Sequence, residues 1–436
     1  MRGHTQDKIL HVTGVQTALD QRPLQAGDHV QGSERGPAAR GADPVDDVHP
    51  LIVANGRADR DLQRRAAPFS AQESYAGAVI GIRGGYQTDF ARNWTREGLD
   101  TADIVAETLA GTFEAAAVEP EEIDVIHVGN AFGQLFTGQG QLGAMPATVE
   151  PRLAGKPASR HEAACASGGI AILAAMADLE AGRYETALVL GVELERTVPG
   201  DNAADFMGAA AWVGRDAMDA KYCWPWSFSQ LADEYDRRYG LEDRYLHAIG
   251  ELNLRNARSN PLAQTRDWTY HPQSPHVEGR LHRNDCSQVT DGAVGLVLTR
   301  GEAPAVVRGW GHRTVGLGLA AKLAERDPLI MPHVAATIAD AFARAEVQLD
   351  DIEAIETHDC FTPSEYMAID HFGITAPGRS WEAIENGDLE IGGRIPMNPS
   401  GGLIGVGHPV GATGVRMVLD AYRQVTGTAG GYQVPG

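Results

Sequence analysis

The sequence predicts an α/β fold made of two similar halves, and three observations predict it. Helix-like and strand-like apolar patterns alternate from about residue 76 onward, the chain echoes itself at long range, and polar or glycine-rich loops close several apolar runs. The echo is the most informative of the three. The stretch "FEAAAVEPEEIDVIHVGNAF" (113–132) aligns without a gap on "FARAEVQLDDIEAIETHDCF" (342–361), so that Phe113, Val118, Ile123, Ile126 and Phe132 fall on Phe342, Val347, Ile352, Ile355 and Phe361. A looser echo relates "CASGGIAILAAMADLEAG" (165–182) to "GATGVRMVLDAYRQVTG" (411–427). Two echoes in the same order imply two α/β halves whose polar loops are related by pseudo-symmetry.

Composition bounds the function classes. A chain of 436 residues that is 43% hydrophobic and 22% charged has room for two or three domains with sizeable cores. A formal net charge of -21 repels phosphates, which argues against nucleic acid or an anionic membrane as the general partner, and an anionic ligand then needs a local basic patch. Four cysteines, Cys165, Cys223, Cys286 and Cys360, form neither a disulfide framework nor a C-x-x-C zinc pair. No apolar run reaches the roughly 18 residues of a membrane span, and the first residues do not read as a signal peptide. A soluble, cytoplasmic protein with reduced thiols is expected.

Taken in order, residues 1–75 are rich in Gly, Pro, Arg, Asp and Gln with little apolar periodicity, and read as a disordered or non-native extension. "AGAVIGIRGGYQTDF" (76–90) reads as a buried strand around Val79, Ile80 and Ile82, "TADIVAETLAGTFEAAAV" as a helix and "IDVIHVG" as a strand. Residues 76–303 are expected to be the first half and 304–436 the second. The aromatic and arginine-rich stretch at about 198–280 breaks the pattern and reads as an insert, serving as a lid over a ligand or as an oligomer contact.

Four features carry chemistry. Cys165 in "ACASGG" stands where a strand end meets a small-residue helix start. Unpaired N–H groups there lower a thiol pKa and make a nucleophile, the other reading being a buried cysteine acting as a small hydrophobe. "NPSGGLIGVGHPVGATG" (398–414) is too ordered a mixture for a linker, and reads as a rigid loop where backbone meets ligand, with Ser400, Gly401 and Gly407 as candidate binding positions and His408 as base or oxyanion donor. "HDCF" places His358 and Cys360 at the strand end that the repeat pairs with "GNAF", where α/β proteins gather ligands. In "NDCSQVTDGA", Asp291 and Gly292 read as a turn and Cys286 as structural. Cys223 receives the same reading, and His161 and His312 lack supporting spacing.

Together, Cys165 in "ACASGG", "QVTDGA", "HDCF" and the glycine-histidine block resemble the thiolase superfamily in its sterol-carrier-protein-2-type branch, over about residues 78–436. The resemblance implies a thiolase fold: two pseudo-symmetric βαβαβαββ halves in a five-layered α-β-α-β-α core with an inserted loop domain. It also implies a CoA-dependent acyltransferase in which Cys165 forms an acyl-enzyme, His408 activates the thiol, His358 serves the oxyanion hole and Cys360 moves the proton at the α-carbon. No permanently bound cofactor is implied, with coenzyme A and acyl-CoA as substrates, and the insert's Arg255 and Arg258 are candidates for the CoA phosphates. A homodimer or homotetramer is implied, with a separate sterol-carrier-protein-2-like or OB-fold protein as a further partner.

The sequence departs from the family pattern after Gly414, where no segment matches the family's last strands and their Cys-x-Gly loop, so a second half lacking its C-terminal strands is expected. Two other readings stay open. A thiolase-like retro-aldolase acting on steroid or acyl-CoA side chains usually dispenses with the nucleophilic cysteine, and a non-catalytic scaffold for CoA esters would have no use for the reactive residues.

Overall fold

Apolar runs with β-branched residues build one nine-stranded sheet in the computed structural model, which describes residues 78–435 and the strand segments Ile9–Val12, Val15–Gln16, Asp47–Val48 and Leu51–Asn55. Its strands are β1 (Ile9–Val12), β2 (Leu51–Asn55), β3 (Ile80–Gln87), β4 (Val125–Gly129), β5 (Ala158–His161), β6 (Thr186–Glu193), β7 (Gly292–Arg300), β8 (Ala305–Trp310) and β9 (Ala354–Glu356). They lie in the order β9-β1-β2-β8-β3-β7-β6-β4-β5. The helices that shape the site are α1 (Thr101–Ala116), α2 (Ser167–Glu180), α3 (Cys223–Tyr239), α4 (Asp243–Ala257), α5 (Pro332–Ala345), α6 (Thr362–His371), α7 (Gly402–Val406) and α8 (Thr413–Thr426).

The sequence repeat is a repeat of backbone geometry. Helix α1 ends at Ala117 with φ 50°, and α5 ends at the aligned Glu346 with φ 56°, each a left-handed cap whose N–H returns to the last turn. Each is followed by a 3-10 turn, Pro120–Glu122 and Leu349–Asp351, and then by a buried strand, β4 and β9. The pairing pattern repeats as well. Strand β4 pairs in parallel with β6, which runs antiparallel to β7, which runs antiparallel to β3. On the other side β9 pairs in parallel with β1, which runs antiparallel to β2, which runs antiparallel to β8. The two wings meet where Ala305–Val307 of β8 pair with Ile80–Ile82 of β3.

As expected, no strand follows α8 among the described residues, but the corresponding positions of the second half are occupied by β1 and β2, both drawn from the segment expected to be disordered or non-native. The rest of residues 1–75 lies outside the described residues, apart from a short ladder in which Val15 and Gln16 pair with Val48 and Asp47 beside the turn that carries Cys165.

Layering follows from which faces are apolar. Helix α1 covers one outer face against β3 and β7, and α5 covers the other against β8 and β2. Helices α2 and α8 touch each other, α2 packing on the strands of the first wing and α8 on strands of both. Strand β6 is buried along its full length, which explains why "TALVLGVE" reads as a nearly continuous apolar run. Between β6 and β7 the insert folds as a short helix (Gly200–Met207), α3, α4 and a short hairpin.

The α2–α8 contact is made through glycines. A Cβ on Gly168 would stand 2.9 Å from both Gly411 O and Val415 N, and one on Gly414 would stand 2.5 Å from Gly169 N. Gly414→Ala is therefore expected to overpack this crossing and cost about 1–3 kcal/mol. Urea unfolding should show a lower midpoint with an unchanged m-value.

Candidate active site

Cys165 sits in a one-turn 3-10 segment, Ala164–Ala166, at the head of α2. Ala164 takes a φ of 38°, a conformation few non-glycine residues adopt, and it is held there by its neighbours. Its N–H donates to Glu162 Oε1 at 2.7 Å, and Ser167 Oγ donates to its carbonyl at 2.7 Å. The turn therefore projects Cys165 ahead of the helix into a cavity of about 610 Å³. Burial, reinforced by the Glu195 carboxyl, pushes the Cys165 thiol up to about 12, the direction opposite to the one that a helix N-terminus suggested from sequence.

His408 follows α7 and is fixed from both sides. Its backbone N–H donates to Thr290 Oγ1 at 2.9 Å, and its ring Nδ1 lies 2.7 Å from Thr413 Oγ1. The Thr413 hydroxyl already donates to Pro409 O, so it accepts from Nδ1–H and leaves Nε2 as the ring's lone-pair nitrogen. Burial, with His358 and Arg416 nearby, holds this imidazole far below the usual histidine range and hence neutral.

The "HDCF" loop at the end of β9 is pinned from two directions. Asp359 turns away from the cavity, and its oxygens accept from the Leu403 and Ile404 N–H groups at 2.6 and 3.1 Å, capping α7. A Cβ on Gly402 would lie 2.3 Å from Asp359 Oδ2, which is why glycine is needed there. On the other side Ser287 N–H donates to Cys360 O at 2.9 Å, and Cys286 bridges Phe361. His358 and Cys360 are left facing the cavity. Both ring nitrogens of His358 are buried without a hydrogen-bond partner, and burial followed by the Arg416 charge lowers its pKa to about 3. Burial, and then Cys165, raises the Cys360 thiol well above its ordinary value.

The structure thus brings the four expected reactive residues to one cavity. One donor atom each from Cys165, His358 and His408 lies within 4.8 Å of the other two. It does not bring the five expected binding residues there. Ser400 points into the interior, donating to Glu356 Oε2 at 2.7 Å. Gly401 and Gly407 have φ values of 107° and 113° and pack on Ala257 and Thr290, so their role is backbone geometry. Arg255 pairs with Glu390 at 3.2 Å, and Arg258 donates to Trp268 O.

Other residues take part that the sequence did not mark. Cys223 and Cys286, read as structural, both line the cavity, as do Glu195, Arg283 and Lys322. Asp291 is not a turn residue but a buried acceptor for the Glu195 and Arg196 N–H groups, both at 2.8 Å, which fixes the chain leaving β6. The conjunction of "QVTDGA" with "GVELER" was the available signal. His161 contacts His127 Nδ1 at 3.0 Å at the far edge of the sheet, away from the cavity.

The family model "Thiolase, N-terminal domain" matches residues 80–225, and "Thiolase C-terminal domain-like" matches residues 320–436. The acetyl-CoA acetyltransferase of Methanothermobacter thermautotrophicus is 31% identical over 371 residues, covering 82% of this chain and 93% of that protein. Sterol carrier protein 2 of Homo sapiens is 26% identical over 384 residues, covering 82% of this chain and 67% of that protein. Among solved structures, an Ltp2-ChsH2(DUF35) aldolase superposes with a TM-score of 0.63 at 20% identity, covering 83% of this chain and 93% of that one, a likeness of fold.

The raised thiol makes a pH prediction. Alkylation of Cys165 by iodoacetamide should keep accelerating beyond pH 9, past the point where an ordinary thiol with a pKa near 8.5 is half ionised. Glu195→Gln removes a negative neighbour and should shift the profile to lower pH. An unshifted profile would show that the carboxyl does not act on the thiol.

Proposed function

This chain belongs to the thiolase superfamily, and from that premise we propose that it is a coenzyme-A-dependent acyltransferase that cleaves 3-ketoacyl-CoA or condenses acetyl-CoA through a Cys165 acyl-enzyme. The observation that carries the proposal is the convergence of Cys165, His358 and His408 at a cavity that Cys360 also lines.

The chemistry follows from the protonation states. In the cleavage direction, His408 Nε2 takes the Cys165 proton as the sulfur attacks the 3-keto carbon. His358, neutral and without a protein partner, has a ring N–H to offer the developing oxyanion. Collapse breaks the C2–C3 bond, and the enolate of acetyl-CoA takes a proton at C2 from the Cys360 thiol, which burial keeps protonated. A molecule of CoA then attacks the acyl-enzyme, giving its thiol proton to the Cys360 thiolate while the departing Cys165 sulfur regains its proton from His408, and acyl-CoA departs. The condensation is the same sequence in reverse, with the Cys360 thiolate removing the acetyl α-proton.

The cavity supports an acyl group larger than acetyl. Its walls are mainly apolar, with Trp224, Phe228 and Leu231 from α3 facing Leu319, Met331 and Val334. Helix α3 of the insert thus acts as a wall of the substrate cavity. Arg283 and Lys322 on the same cavity suit the anionic end of CoA better than Arg255 and Arg258. Exposed edge strand β5 offers a pairing surface for a second copy, in keeping with a homo-oligomer. Four free thiols fit a reducing cytoplasm, and no helix among the described residues is long and apolar enough to cross a membrane.

Intact-mass analysis after incubation with acetyl-CoA tests the proposal. Wild type should gain one acetyl group and Cys165→Ala none. Cys360→Ala should still acylate yet lose acetyl α-proton exchange by roughly 100-fold or more, the contribution of a positioned acid-base group. Turnover by Cys165→Ala would instead favour the retro-aldol reading.

A second expectation concerns the walls. Val334→Trp should raise KM for long-chain acyl-CoA far more than for acetyl-CoA, measured as the ratio of the two kcat/KM values.

A further inference from the structure

The Cys165, His358 and His408 donor atoms do more than converge: they form a set that suits a soft divalent metal. One sulfur and two imidazole nitrogens lie mutually within 4.8 Å, in the wall of a cavity that leaves the remaining side open. Tetrahedral zinc, bound at roughly 2.0–2.3 Å, holds such ligands roughly 3.3–3.7 Å apart, so side-chain rotation of about an ångström closes the set.

Two further observations point the same way. His358 is buried with both ring nitrogens unpartnered, a costly arrangement that a ligand in the cavity would relieve. His408 donates its Nδ1–H to Thr413 Oγ1 at 2.7 Å and presents Nε2, the orientation that a supporting hydrogen bond gives a metal-bound histidine. Thiolate and imidazole together favour zinc over magnesium or calcium, which take oxygen ligands.

We propose that Cys165, His358 and His408 form a three-ligand zinc site that competes with acylation of Cys165. Binding balances as one Zn²⁺ taken up and one proton released from the Cys165 thiol, with both imidazoles neutral and water in the fourth, cavity-facing position. Acylation consumes the same sulfur, so the acyl-enzyme lacks the thiolate ligand and the two states exclude one another. Zinc would then act as a reversible inhibitor, removed by a chelator and without effect on the covalent structure.

The test uses the metal-free full-length protein with Co²⁺ as a spectroscopic stand-in. One equivalent of Co²⁺ should produce a near-ultraviolet thiolate-to-cobalt charge-transfer band that one equivalent of Zn²⁺ abolishes and Mg²⁺ does not. Cys165→Ser should lack the band. His358→Ala and His408→Ala should weaken zinc at least about 10–100-fold, the loss seen when only a ligand's supporting partner is removed. Cys360→Ala should keep the band. Prior acetylation by acetyl-CoA should suppress it in unmodified protein, an arm that depends on no variant folding. Absence of the band in wild type, its survival in Cys165→Ser, or equal zinc affinity across the variants would overturn the site. The acyl-transfer reading fails separately: the cobalt band would then form normally but acetyl-CoA would neither acylate Cys165 nor suppress it.

Discussion

The site exists because two helices touch through glycine. Helices α2 and α8 pack on the sheet and on each other, and side chains at Gly168 or Gly414 would hold them apart. Around the crossing, a Cβ on Gly191 would meet Ala412 Cα at 2.6 Å, and one on Gly411 would meet Asn130 Cα at 2.6 Å. Cys165 lies one turn upstream of Gly168 and His408 one turn upstream of Gly411, so the same close approach that joins the halves brings the sulfur to the imidazole. Glycine at 168 and 414, the two positions that lie within helices, lowers intrinsic helix stability by at most about 1 kcal/mol each. The dispersion contacts of two backbones packed without intervening side chains offset that cost.

Behind the site lies a second constraint, electrostatic in kind. Arg416 is fully buried, contacting Glu356 at 3.2 Å, Asp420 at 2.9 Å and Ser400 Oγ at 3.0 Å, which ties α8 to β9 and to the glycine block. Its charge helps keep His358 and His408 neutral, while burial raises the carboxyls of Glu356, Asp359 and Glu365 above the usual range. These groups act on stability with opposite signs. The imidazoles stay unprotonated in the fold while the unfolded chain takes up protons, so they withdraw stability as pH falls below about 6.5. The carboxyls bind protons more tightly in the fold, so they withdraw it as pH rises above about 4.3, where the unfolded side chains ionise. A buried ion pair of this kind seldom adds net stability. Its service here is to fix the positions of two loops that line the cavity and the charge of their histidines.

Much of this was legible in the sequence because it rests on local pattern. The repeat of 113–132 in 342–361 predicted two halves of like helix–strand–loop order, to which the structure adds the paired left-handed caps, and "HDCF", "CASGG" and the block around His408 predicted which reactive groups share a cavity. What was illegible depends on contacts between distant segments. The helix N-terminus at Cys165 suggested a lowered thiol pKa, but the depth of the cavity and the Glu195 carboxyl, neither visible locally, reverse the sign. Ser400, Gly401 and Gly407 share a glycine-rich loop with His408, yet only His408 faces the cavity, because Asp359 and Glu356 draw the rest of the loop inward. Cys223 and Cys286 looked inert for want of a neighbouring motif, yet α3 of the insert brings Cys223 to the cavity, and the backbone bridge to Phe361 brings Cys286 there.

The two strands from the start of the chain show the same principle at the level of the sheet. A wing that ended at β8 and β9 would leave two unpaired strand edges facing the apolar side of α8, and buried backbone groups without partners are costly. Strands β1 and β2 supply those partners in the register and direction that β6 and β7 use in the first wing. Hydrogen bonding fixes which position a strand can fill, and it is indifferent to the strand's place along the chain. The periodicity of residues 1–75 could not reveal this, since each segment is only four or five residues long and acquires its meaning from the gap it enters. The second wing is therefore completed by pairing between segments far apart in sequence, and the position of the "HDCF" loop, borne on β9 beside β1, depends on that pairing.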